Sequence, residues 1–192
     1  MAVEAVVFDV GETLVDETRA GEAVADECDV PRFTLMALIG STIGTGDSHR
    51  RAIELLGIRP SRRAFVDEQW YPDAIPCLAR LHAAGLVVGA AGNMAAEHEE
   101  LIRPHVAFVT SSDRLGVEKP APGFFERIAT LAGVAPEKIA YVGDRVDNDV
   151  APALAAGMVG VHIRRGPWGY VHEPPGEAVR IRSLDELPGA LP

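Results

Sequence analysis

Val6-Val7-Phe8-Asp9-Val10-Gly11-Glu12-Thr13-Leu14 reads as a short apolar strand that ends on a carboxylate and turns into a tight loop. A carboxylate left at the carboxyl end of a buried strand is costly unless something there partners it. Asp9 therefore reads first as a nucleophile or a metal ligand.

Outward from this strand the chain repeats amphipathic helix, glycine stop, apolar strand and polar loop. Residues 74–84 read as a helix stopped by Gly85, with Leu86–Ala91 as the following strand and Gly92-Asn93 at its end. Residues 121–132 stop at Gly133 and lead into Ile139–Val142 and then Gly143-Asp144. Residues 149–156 stop at Gly157 before a strand at Val159–Ile163. Glycine just past a helix end accepts the left-handed conformation that closes it. Short continuous apolar strands alternating with helices predict a parallel sheet covered on both faces. With right-handed crossovers this is a doubly wound, three-layer α/β domain of Rossmann-like form. Ligands of such sheets bind beyond the carboxyl ends of the strands, where Asp9, Asn93 and Asp144 all fall.

Residues 16–70 break this rhythm. They read as a small helical cap, with helices at 17–28, 31–39 and 47–56, inserted into a core formed by 1–15 and 71–192. Gly40–Gly46 reads as a flexible turn, and the absence of a following Gly-Lys-Ser/Thr argues against a phosphate-binding P-loop. Phe33, Leu35, Met36 and Leu38 are expected to pack the cap. Arg50, Arg51, Arg59, Arg62 and Arg63 form a basic cluster, read as a solvated helix face in preference to an anion clamp.

The 192 residues suit one main domain, and an apolar fraction of 47% supplies a full core. A formal charge of −10 argues against gripping a nucleic-acid backbone. No apolar run approaches the roughly 18 residues that span a bilayer. The chain enters a strand almost at once, so no signal peptide is expected. Cys28 and Cys77 lack metal spacing and fit a reducing cytosol, so the expected location is cytoplasmic.

Four motifs in order resemble the haloacid dehalogenase superfamily. They are Asp9-Val10-Gly11-Glu12-Thr13-Leu14, the strand end at Gly92-Asn93, Lys119 before Pro120, and Gly143-Asp144 with Asn148-Asp149. The resemblance covers residues 1–14 and about 71–165, and it implies a hydrolase, most directly a phosphatase of a small phosphorylated metabolite. Asp9 would attack phosphorus and carry an aspartyl-phosphate. Magnesium would be held by Asp9, the backbone carbonyl of Gly11 and Asp144, with Asp149 in support. Lys119 would neutralise the phosphoryl group, which Gly92 and Asn93 would help bind. Pro152 places the start of the last motif's helix near Asp149, because proline is tolerated only in a helix's first turn.

The chain departs from the family pattern twice. The carboxylate two residues after the nucleophile, which protonates the leaving oxygen in the family's phosphatases, is here Gly11. The hydroxyl that ends the second core strand is here Gly92. Glu12 is a possible substitute acid, although it is expected to face solvent or the cap. Two alternatives to the phosphatase stay open: a phosphate- or partner-binding protein without turnover, and a dehalogenase using Arg19, Arg32 or Arg50 as the halide-side cation. A phosphonate-cleaving Schiff base is disfavoured because residues 16–70 contain no lysine. Trp168 and Tyr170 are expected to fold back on the core, and 181–187 to close the sheet edge. Lys138 reads as solvated.

Overall fold

Ala5–Phe8, four consecutive buried residues, form β1 at the centre of a six-stranded parallel sheet. The structure is a computed structural model and describes residues 2–61 and 69–192. After β1 come three helices, α1 (Thr18–Glu27), α2 (Arg32–Gly44) and α3 (Arg50–Leu56). Next are α4 (Ala74–Ala83), β2 (Val87–Gly92), α5 (Glu99–Ile102), β3 (Phe108–Ser111), α6 (Ser112–Leu115) and α7 (Pro122–Ala132). The chain closes with β4 (Ile139–Gly143), α8 (Ala151–Ala155), β5 (Val159–Ile163), α9 (Gly166–Val171), β6 (Val179–Ile181) and α10 (Leu187–Ala190).

The strand order is β3-β2-β1-β4-β5-β6, with every pairing parallel. The chain therefore builds one half of the sheet outward from β1, then returns to β1 and builds the other half. That reversal leaves a crevice between the carboxyl ends of β1 and β4, the usual binding place in such sheets. Phe8 pairs with Ala90 on one side and Val142 on the other, so Asp9 emerges between two neighbouring strand ends.

Alternate residues of the strands feed two separate cores, as a period of two requires. Val6, Phe8, Val88, Ala90 and Val142 pack with Leu78 and Leu81 of α4. Val7, Ala91 and Tyr141 pack with Phe124, Phe125 and Ile128 of α7. With both faces covered, polar residues have no place in the strands, which explains their continuous apolar reading. Each fully buried Leu or Phe stabilises the fold by roughly 1.5–3 kcal/mol.

Three expectations need correction. Gly40–Gly46 is not a flexible turn: α2 runs through Gly40 to Gly44, and the chain turns only at Thr45-Gly46, where Gly46 has φ 80°. Burial of Leu35, Thr42 and Ile43 outweighs the poor helix propensity of glycine there. Phe33 is 85% exposed and does not pack the helical segment, whereas Leu35 is buried. Asp149 does not open a regular helix but lies in a wide π-type turn, Val146–Val150, that precedes α8. The strand β3 carries no clear sequence signal, being four residues at the sheet edge. Its Phe108 ring lies over Gly89, where any Cβ would collide with it. Arg62 and Arg63 lie outside the described residues.

Candidate active site

The loop after β1 is wound around one carbonyl. The N–H groups of Leu14 and Val15 donate to the Val10 oxygen at 2.9 and 3.0 Å, and Glu12 N–H donates to Val15 O at 2.7 Å. This tight winding puts Glu12 in the left-handed region at φ 53°, which is uncommon for a side chain of this size. The Glu12 carboxylate offsets the strain by accepting the Tyr71 hydroxyl at 2.6 Å and the Glu17 N–H at 3.0 Å. Gly166, at φ 62°, comes so close to Glu12 that a Cβ there would sit 2.6 Å from its Cβ. Glu12 is thus a brace inside the structure and does not face open solvent. Burial raises its carboxyl above the usual range, against the opposing pull of Tyr71 and the Glu17 N–H.

Around this loop the structure gathers residues that are far apart in sequence. Lys119 Nζ donates to Asp9 Oδ1 and to Asp149 Oδ1, both at 2.6 Å, and its side chain is only 1% exposed. Burial alone would strip a lysine of its proton, but Asp149 and Asp9 together hold the ammonium firmly charged. Asp149 Oδ2 accepts the Arg145 N–H at 3.0 Å. Gly143 permits this approach, since a Cβ there would strike the Asp149 carboxylate.

Ligand oxygens of Asp9, Asp144 and Asp149 lie within 4.8 Å of one another. Three carboxylates face one ammonium, so the cluster carries an excess of negative charge. Burial and then Asp149 and Asp9 push the Asp144 carboxyl well above its usual range, and burial pushes Asp149 up to about 6. Asp144 Oδ2 is buried and has no hydrogen-bond partner among the described residues. An orphaned carboxylate oxygen beside two others is the donor set of a hard divalent cation, and the residues present fit one.

The two glycines differ in what surrounds them. A Cβ at Gly92 would lie 2.9 Å from Asp9 Oδ1, so Gly92 makes room for the Asp9 carboxylate as it stands. A Cβ at Gly11 would lie 2.9–3.0 Å from the carboxylate atoms of Glu17. The volume left by the missing side chain is therefore filled by another residue's carboxyl group. Loss of hydration around the carboxylate, followed by the charges of Glu12, Asp9 and Asp16, pushes Glu17 up to about 7, although the residue as a whole stays exposed.

The Asn93 side chain is occupied in a way the sequence does not suggest. Its amide donates to Lys119 O at 2.9 Å and accepts the Lys119 N–H at 2.8 Å. This reciprocal pair fixes the Lys119 backbone, so any contact of Asn93 with an anion falls to its N–H. Lys138 is half exposed and pairs with Glu4 at 2.6 Å.

A cavity of about 370 Å³ opens over the cluster, lined by Asp9, Gly11, Gly92, Lys119 and Asp144. The helical segment contributes Glu17, Ser48, His49 and Arg50 to its wall, and the C-terminal part contributes Trp168. Arg50 is therefore not simply part of a solvated helix face, and Trp168 does not simply return to the core. The Arg145 guanidinium lies 4.7 Å from the Trp168 ring centre, and His49 meets that ring edge-on. Tyr170, by contrast, is 65% exposed. Glu17, His49, Arg50 and Trp168 also border a larger, more apolar cavity lined by Val24, Leu35, Met36, Ile39 and Ile53. Among the described residues no helix is long and apolar enough to cross a membrane.

The family model of haloacid dehalogenase-like hydrolases matches residues 3–157. The chain belongs to this family. It is 34% identical over 206 aligned residues to a protein named glyceraldehyde 3-phosphate phosphatase from Methanopyrus kandleri, covering 86% of each chain. Among solved structures it resembles a haloacid dehalogenase-family phosphatase from Thermococcus onnurineus, with TM-score 0.65 and 23% identity over 97% of both chains. It also resembles a dehalogenase, with TM-score 0.73 and 22% identity over 98% of this chain and 97% of the other. These two likenesses establish the fold, and the family match makes the protein a hydrolase.

Proposed function

We propose that this hydrolase is a magnesium-dependent phosphatase of a small phosphorylated metabolite, with Asp9 as the nucleophile. The observation that carries the reading is the buried Asp9–Lys119–Asp149 array with the orphaned Asp144 oxygen beside it. A divalent cation held by Asp9, Asp144 and Asp149 would offset charge on the phosphoryl oxygens.

The chain's own residues supply the rest. Lys119 holds the Asp9 carboxylate in place through one oxygen, leaving the other for attack on phosphorus. The phosphorus–ester bond breaks as the Asp9–phosphorus bond forms, and water then releases phosphate and restores Asp9. Asn93 holds the strand end and the Lys119 backbone at fixed separation. Residues 16–70 act as a cap in this reading, and Arg50 beside Ser48 and His49 is placed to meet an anionic or hydroxylated part of the substrate. Glyceraldehyde 3-phosphate is the first candidate substrate, because the relative of that name aligns along most of both chains.

The test is phosphate release from glyceraldehyde 3-phosphate, an aryl phosphate and acetyl phosphate, with magnesium or EDTA, for wild type and Asp9→Asn. Release that needs magnesium and disappears in the variant is the expected result. No release above the Asp9→Asn background from any of the three compounds would remove the phosphatase reading.

A further inference from the structure

An alkoxide is a poor leaving group, so cleavage of an alkyl phosphate needs a proton delivered to the departing oxygen. Residue 11 offers no side chain for this. Of the carboxylates lining the cavity, Asp9 is bound to Lys119 and Asp144 belongs to the three-carboxylate cluster. Glu12 is held by the Tyr71 hydroxyl and the Glu17 N–H, and no atom of Glu118 is among those nearest to where a Cβ on Gly11 would stand. His49 is packed edge-on against Trp168, with ring centres 5.3 Å apart. Glu17 differs from all of them. Its carboxylate opens onto the same cavity and has no hydrogen-bond or ion-pair partner among the described residues.

Its placement is also specific. The carboxylate carbon and both oxygens lie 2.9–3.0 Å from where a Cβ on Gly11 would stand. Glu17 immediately precedes α1, and its backbone N–H is clamped by the Glu12 carboxylate, which is itself clamped by Tyr71. A chain of hydrogen bonds thus fixes the backbone from which this side chain reaches back over Gly11. Glycine at 11 and glutamate at 17 are two halves of one arrangement.

We infer that Glu17 is the proton carrier of the reaction, working from the space that a side chain at residue 11 would otherwise fill. The inference rests on the reading of Asp9 as nucleophile. In the first step an Asp9 oxygen bonds to phosphorus as the ester bond breaks. The electron pair of that bond goes to the leaving oxygen, which takes the proton from the Glu17 carboxyl. In the second step the Glu17 carboxylate takes a proton from water as the water oxygen attacks phosphorus. The Asp9–phosphorus bond breaks, phosphate leaves, and Glu17 is protonated again.

The two steps respond differently to loss of this carrier. A nitrophenolate departs without a proton, so Glu17→Gln should form the Asp9 intermediate from p-nitrophenyl phosphate at near wild-type rate. It should then stall, giving one equivalent of nitrophenolate in a burst followed by turnover slowed about 100-fold or more. Glycerol 1-phosphate, an alkyl ester, should give no burst and a comparable loss in its first step. Because the burst rate and the alkyl rate are compared within one preparation, partial unfolding does not imitate the pattern. The double variant G11D/E17A returns a carboxylate to the same space from the other side. It should recover at least about tenfold of the alkyl-ester turnover that Glu17→Ala loses.

Glu17→Gln with wild-type turnover on both esters would overturn the assignment. So would equal slowing of the burst and of alkyl-ester cleavage, or no recovery in the double variant. In each case Asp9-dependent release in wild type would leave the phosphatase reading standing. Absence of release in wild type from both esters, and from glyceraldehyde 3-phosphate and acetyl phosphate as well, would overturn both readings together.

Discussion

Lys119 shows how one side chain decides the character of a site. Its ammonium is removed from water and held 2.6 Å from each of two carboxylates, a position it can occupy only while charged. Replacing it leaves Asp9 and Asp149 facing each other and Asp144 with no cation among them. Lys119→Met is expected to lower phosphate release at least about 100-fold, as loss of a preorganised cation at the phosphoryl group should. It should also destabilise the metal-free protein by about 3–5 kcal/mol, the usual cost of breaking a buried charge pair. Urea melts in EDTA and phosphate release in magnesium check the two parts separately. A variant as stable as wild type in EDTA would contradict the buried pairing.

Asp144 makes the complementary case. Its carboxylate is buried among other negative groups and has an oxygen without a partner. Asp144→Asn removes one of the mutually repelling charges and a ligand together. The expected outcome is a higher melting temperature in EDTA than wild type and loss of the rise that magnesium gives wild type. At magnesium 100-fold above its dissociation constant that rise corresponds to about 2.7 kcal/mol. A magnesium-induced rise that survives unchanged in Asp144→Asn would remove Asp144 from the site.

At the scale of elements, α2 is the instructive helix. Gly40 and Gly44 read as breakers, yet the helix runs through them because Leu35 and Ile43 are held on its inner face. Apart from its chain neighbours and the adjoining helix backbone, neither glycine has an atom within 4 Å of where a Cβ would stand, so packing does not require them to be small. Gly40→Ala should stabilise the protein by about 0.5–1 kcal/mol through reduced backbone entropy of the unfolded chain. Urea denaturation measures this, and turnover should stay unchanged. A destabilised Gly40→Ala would show that α2 does not continue through this position.

At the scale of the whole molecule, Asp73 joins three distant parts of the chain. It accepts Arg165 at 2.5 Å, Ser183 Oγ at 2.8 Å and the Leu184 N–H at 2.9 Å, while Arg165 also donates to Thr13 O at 2.8 Å. The loop after β1, the start of α4 and the C-terminal part are thereby tied together behind the site. Burial opposes the Asp73 charge, but the bonds from Arg165, Ser183 and Leu184 outweigh it and hold the carboxyl below its ordinary 3.8. The folded state therefore releases this proton more readily than the unfolded state does. Stability from Asp73 is present above pH 4 and is lost as the pH falls through the folded value. Asp73→Asn should lower stability at pH 7 by about 3 kcal/mol, roughly 6–12 °C in melting temperature. It should also flatten the melting-temperature slope below pH 4. A slope identical to wild type there would show that Asp73 does not carry it.

Much of this molecule could be read without coordinates because its signals are local. A strand buried on both faces must be apolar, a helix that stops needs its glycine, and a carboxylate left at a strand end needs a partner. Asp9, Asp144, Asp149 and Lys119 were visible on those grounds together with the family motifs. The sequence by itself thus determined the sheet, its winding and the charged residues at the crevice. It said little about β3, whose four edge residues carry too short a pattern, or about α2, where burial overrides propensity. Tertiary structure alone decided which side chains from other segments reach the crevice. Glu17 stands six positions after Gly11, and no periodicity relates them. They meet because the tight loop and the Glu12 brace fold α1 back over the strand end. Asn93 turned to the Lys119 backbone, and Arg50 and Trp168 joined the cavity wall, for the same reason. Convergence of distant side chains depends on how elements pack, and packing energy is spread over contacts that no single stretch of sequence contains.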